Sequence, residues 1–148
     1  MKHTASNVAK YLIASFQKKD KEISNLKLQK LLYYAQAWHL ALYSTSLFDE
    51  KIEAWVHGPV VPGVFREYKP FGWNPIDVQG VIPPEEVRFH IKEVIRAYGH
   101  FDAVTLERMT HRESPWRDAR GTLAPDAPSK SVISHPAMKK YYGARLVG

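Results

Sequence analysis

A helix with almost no polar side can only sit in the middle of a fold or keep one face for a partner, and residues 25–43 read as such a helix. Ser24-Asn25 supplies an N-terminal cap. At 100° per residue, Leu28, Leu31, Leu32, Ala35, His39 and Leu42 form one stripe. The opposite side carries Tyr33, Tyr34, Ala37, Leu40 and Ala41, with Lys30 among them. Ala35, Ala37 and Ala41 would let a neighbouring backbone come close. A chain of 148 residues has enough length to surround such a helix and not enough for a second full-sized domain. The expected architecture is therefore a single domain over residues 1–148. Its class is α+β, predominantly α-helical, with five to six helices around helix 25–43 and a small two- or three-stranded sheet.

The remaining elements follow from caps and periodicity. Thr4 or Ser6 can start a first helix carrying Val8, Tyr11, Leu12, Ser15 and Phe16 at helical spacing. Residues 51–56 alternate polar and apolar like a short strand, which the tight turn Gly58-Pro59 would stop. Pro62 suits the first turn of a short helix over about 62–69, and Val78 to Ile82 reads as a second short strand. Pro83-Pro84-Glu85-Glu86 opens a helix striped by Val87, Ile91, Val94 and Tyr98, with Gly99 at its C-terminal end. Asp102 caps a shorter helix that Glu113-Ser114-Pro115-Trp116 should end. Residues 118–131 read as a surface loop. Ser134 then caps a last helix with Met138, Tyr141, Tyr142 and Leu146 turned inward.

Whole classes of chemistry are missing from the sequence. There is no cysteine, which removes disulfides, Cys-ligated zinc, iron–sulfur clusters and a thiol nucleophile, and which suits a reducing cytoplasm. No apolar run approaches the roughly 20 residues that span a bilayer, so a cytoplasmic protein without membrane contact is expected. No Gly-rich phosphate loop, nucleophile elbow or paired-histidine zinc motif is present, so no cofactor, no metal and no catalytic residue is expected. His111 and Glu113 pair an imidazole with a carboxylate, yet a histidine ending a helix is more simply a partner of the helix dipole. Net charge is +6, unevenly spread: residues 1–30 and 108–148 are basic, while 31–107 carry ten acids against six bases. That pattern suits either a well-solvated surface or an anionic partner. Lys139, Lys140, Tyr141, Tyr142 and Arg145 interleave charge with aromatics, but the same spacing makes an ordinary amphipathic helix. Direct nucleic-acid binding is not expected.

Three strings in order resemble the motifs of the Panacea domain family. The first runs from Ser24 to His39 and contains Leu28, Gln29, Leu31, Tyr33 and Trp38. The second joins Leu47-Phe48-Asp49-Glu50 to Ile52 through Pro62, with Trp55, Gly58 and Pro59. The third is Leu106-Glu107 followed by Thr110-His111-Arg112-Glu113-Ser114-Pro115-Trp116. The resemblance spans about residues 4–145. The family includes SocA-like antitoxins and the phage-associated proteins called GepA. It implies a non-enzymatic antitoxin that binds a toxin encoded beside it. Relatives pair with unrelated toxins, among them tRNA-modifying alarmone synthetase-like enzymes, and the SocA branch also delivers its toxin to a cellular protease. The alternative is a phage-derived nucleic-acid-binding factor or enzyme. Trp38, Trp55 and Trp116 are expected as core anchors. If helix 25–43 keeps one face free, the toxin-binding patch would be Lys30, Tyr34, His57, Tyr68 and Arg117, with aromatics anchoring and cations steering an acidic partner.

Overall fold

The computed structural model describes residues 2–146. Seven α-helices and one antiparallel hairpin make up the fold among them. They are α1 (Ala5–Lys18), α2 (Asn25–Tyr43), β1 (Glu53–Trp55), β2 (Gly58–Val60), α3 (Pro62–Tyr68), α4 (Glu85–Tyr98), α5 (Ala103–His111), α6 (Ser114–Arg120) and α7 (His135–Arg145), with a 3-10 turn at Lys69–Phe71. The expected helical α+β class is the observed one. Four helices start where a side-chain oxygen is free to take an orphan amide. Thr4 accepts from the Asn7 amide at 3.1 Å, Ser24 from Lys27 at 3.2 Å, Asp102 from Thr105 at 2.8 Å and Ser134 from Ala137 at 3.1 Å.

α2 is the axis. It packs against α1, α3, α4, α5, α7 and β2, so both of its faces are covered. Tyr33, Tyr34, Ala35, Ala37 and even Lys30 are fully buried. Its polar residues are used as fasteners for the chain around it. Gln36 donates to the Phe48 carbonyl and accepts from the Leu47 amide, both at 2.7 Å. Gln29 accepts from the Val61 amide at 3.0 Å and donates to Asn25, which in turn donates to the Phe65 carbonyl. Each such amide satisfies backbone groups that α2's neighbours would otherwise leave unpaired in the core.

Several expected details come out differently. Gly58-Pro59 does not stop the strand as a turn. The turn is Val56-His57, and Gly58 and Pro59 belong to β2, opposite Trp55 and Ala54. Gly58 has φ of +111°, which ordinary residues rarely adopt, and this lets the chain reverse in so few residues. Val78–Ile82 is not a strand, since no sheet edge lies beside it. It crosses α1 instead, with the Val81 amide donating to the Lys10 carbonyl. The helix before Pro115 ends as expected, at His111, but Pro115 also opens a new one, because a missing N–H costs nothing in a first turn, and α6 takes up residues read as loop. The loop's far end returns to the sheet, where the Ala54 amide donates to Ser131 and the Ile133 amide to Ile52, both at 2.8 Å. Leu42 and Leu146, read as inward, are about half exposed at 48% and 49%. Trp116 is buried, whereas Trp38 and Trp55 are partly buried.

Candidate functional site

The three sequence motifs converge on the side of α2 that faces the hairpin and α5. Lys30 comes from the first, His57 and Gly58 from the second, Glu107, Thr110 and His111 from the third. A Cβ added at Gly58 would lie 3.0 Å from Lys30 Cε and 3.2 Å from Thr110 Oγ1, so the hairpin backbone rests directly on the lysine. Lys30 Nζ is buried without a hydrogen-bond partner among the described residues. Burial lowers its pKa to about 8, against the opposing attraction of the Glu107 carboxylate. Glu107 also reaches outward, where its Oε1 lies 3.3 Å from Nδ1 of the exposed His57. Thr110, fully buried, donates back to the Glu107 carbonyl at 2.8 Å. Gly58→Ala is expected to cost about 1–3 kcal/mol, from the positive φ and the crowding against Lys30, read as a lower denaturant midpoint.

Beside this lies a second cluster. His111 stacks on Trp116 with ring centroids 3.9 Å apart. Burial is the main influence on its pKa, which is lowered, so the ring favours its neutral form. Trp116 donates to the Trp55 carbonyl at 2.8 Å. Arg120, buried beneath the loop, lies over the Trp116 ring and donates to the carbonyls of Ala54, Ala124, Pro125 and Ala127.

Glu113 closes the far side of α2. The Tyr142 and Tyr34 hydroxyls both donate to its carboxylate, and the Tyr33 hydroxyl lies 3.2 Å from that of Tyr142. Burial raises the Glu113 pKa, and the hydrogen bonds from Tyr142 and Tyr34 oppose the rise. The Tyr34 ring stacks on Tyr98 at 3.9 Å, and Trp38 donates to the Tyr98 hydroxyl at 2.7 Å.

The proposed five-residue patch is therefore not one surface. Lys30 and Tyr34 are fully buried and Tyr68 is 2% exposed, because α2 is enclosed on every side and α3 packs onto α1 and α2. His57 and Arg117 remain in solvent. Arg117 lines a concavity with Arg112, Asp118, Tyr141 and Arg145, in which Arg145 lies over the Tyr141 ring at 3.4 Å. Sequence reasoning missed Arg120 and Gln36 as organising residues. The polar positions on a helix buried all round were the available signal for Gln36; for Arg120 there was none.

No group of three or more His, Asp or Glu side chains could hold a metal ion among the described residues, and no helix there is long and apolar enough to cross a membrane. No solved structure matches the chain. A curated relative does: the antitoxin SocA of Caulobacter vibrioides (strain NA1000 / CB15N) is 33% identical over 127 residues, covering 76% of this chain and 68% of the relative. The family described as antitoxin SocA-like, Panacea domain, matches residues 28–117, the stretch that holds most of α2, the hairpin and the α5–Trp116 cluster. The three converging motifs, the relative and the family match agree, and this chain belongs to the SocA-like Panacea domain family.

Proposed function

We propose that this chain is the antitoxin of a toxin–antitoxin pair and that it neutralises a co-encoded toxin by binding it, without chemistry of its own. One observation carries the binding mechanism. Three of the groups able to do acid–base work are engaged within the fold: Lys30 is fully buried, Glu113 accepts from two tyrosine hydroxyls, and His111 lies flat on Trp116. Side chains engaged in this way hold a surface in shape, which is what binding needs. The similarity to the antitoxin SocA supports the antitoxin role itself. An alarmone synthetase-like, tRNA-modifying toxin and delivery of the toxin to a protease are extensions of the same reading, resting on the family resemblance.

The test is co-expression with the toxin gene beside it. His57→Ala and His111→Gln, once shown to fold, are expected to protect cells as well as the parent does, and to bring the toxin down in a pull-down. A folded, toxin-binding His111→Gln that no longer protects would mean that binding alone does not neutralise the toxin.

A further inference from the structure

Between α1 and α4 the surface opens into a groove of about 950 Å³. Lys18 and Lys19 stand on its α1 side, Arg88 and Lys92 on its α4 side, and no carboxylate lines it. Its apolar lining is Ala14, Ile82, Pro83 and Ile95. All four cations are exposed, and Ile82 is 77% exposed.

Residues 78–83, which form one edge, are held in place. Gln17 donates to the Val78 carbonyl at 2.7 Å and accepts from the Gly80 amide at 2.9 Å. The Val81 amide donates to the Lys10 carbonyl at 3.1 Å, and Arg88 donates twice to the Pro83 carbonyl. At Gly80 a Cβ would stand 2.6 Å from Ala14 Cα and 2.7 Å from the Lys10 oxygen, so the segment lies against the α1 backbone as only glycine allows. Val78, Val81 and Ile82 are thus presented to solvent by a segment fixed from behind. A pre-ordered apolar edge loses little entropy on binding, which is a property of a contact surface.

The charge and the lining together choose the occupant. Four cations without a carboxylate call for an acidic ligand. An apolar lining with no aromatic side chain offers nothing for nucleobases to stack on, but it does suit aliphatic side chains. The arginine concavity around Arg117 is the rival basic surface. It is about half the volume, at 470 Å³, contains Asp118, and has Arg145 already engaged with Tyr141. We propose that the α1–α4 groove receives an acidic segment of the toxin, with carboxylates on Lys18, Lys19 and Lys92 and an aliphatic side chain against Ile82 and Ile95. This rests on the antitoxin reading above.

The experiment measures affinity of the purified full-length chain for the co-encoded toxin across a salt series. Lys18→Glu with Lys92→Glu is expected to weaken binding about tenfold or more and to flatten its salt dependence. Ile82→Ser is expected to weaken it about tenfold with the salt dependence kept. Arg117→Glu should bind like the parent. Melting curves confirm that each variant, all at exposed positions, is folded. If the parent binds and the groove variants bind equally well, or if Arg117→Glu alone loses affinity, the groove assignment is overturned while the antitoxin reading stands. A parent that binds no toxin overturns both. Retention of a single-stranded RNA by the parent, lost in the double charge variant while toxin affinity is unchanged, also overturns it.

Discussion

Trp116→Ala is expected to cost about 3–5 kcal/mol, the range for removing a large aromatic from a core. The indole is 4% exposed. Its loss would remove the stack on His111 and the face that Arg120 covers, and would leave the Trp55 carbonyl without its donor. Arg120 fastens the carbonyls of residues 124, 125 and 127, so the loop after α6 should loosen together with the sheet edge it returns to. For a domain of this size the change corresponds to a fall in Tm of roughly 6–20 °C. Trp116→Phe keeps an aromatic face for the stack but loses the hydrogen bond and part of the ring volume, so it should cost about 1–3 kcal/mol. Calorimetry of the two variants beside Trp55→Ala tests the ranking. Trp55 is only partly buried, packing edge-on against Phe65 at 5.2 Å, and its removal should be the milder change. A Trp116→Ala protein that melts within two degrees of the parent would refute the anchoring role.

The centrality of α2 could be read in advance because a helix without a polar face has few places to go. The four side-chain caps were equally legible, since Thr4, Ser24, Asp102 and Ser134 each act on the amide three residues further on. What a helical wheel cannot supply is the number of neighbours. Lys30, Tyr33 and Tyr34 read as a free face because nothing in their own spacing says that α5, α7 and β2 will close over them. Leu42 and Leu146 fall on apolar stripes, but near helix ends, where neighbouring elements no longer reach. Pro115 was ambiguous in kind: proline both ends a preceding helix and opens the next, and here Arg112–Glu113 leave just enough chain for the second. The basic groove sets α1 against residues 79–95, some sixty residues further along the chain, so no local pattern could announce it.

Lys30→Met should make the protein more stable, although it alters a residue at the meeting point of all three motifs. Holding an ammonium group in this site is costly because burial removes its hydration and Nζ finds no hydrogen-bond partner among the described residues. The fall from 10.5 in the free side chain to about 8 in the fold corresponds to about 3 kcal/mol against the charged form. Below pH 8 the lysine is charged in both states and the whole penalty is present. Between pH 8 and 10.5 the folded state sheds its proton first, so the unfolded state binds more protons and stability from this group rises with pH. Above 10.5 both states are neutral and the penalty is gone. Buried tyrosines, whose pKa values are raised by burial, act in the opposite sense at high pH, so the comparison must be with the variant rather than with neutral pH. Methionine keeps the length and apolar volume of the stem. The variant is therefore expected to gain roughly 2–3 kcal/mol at pH 7, with the gain shrinking steadily as pH rises from 8 to 10. Urea midpoints at four pH values for parent and variant check both parts. A Lys30→Met protein less stable than the parent at pH 7 would mean that the attraction of Glu107, which also faces His57 at the hairpin turn, outweighs the cost of burial.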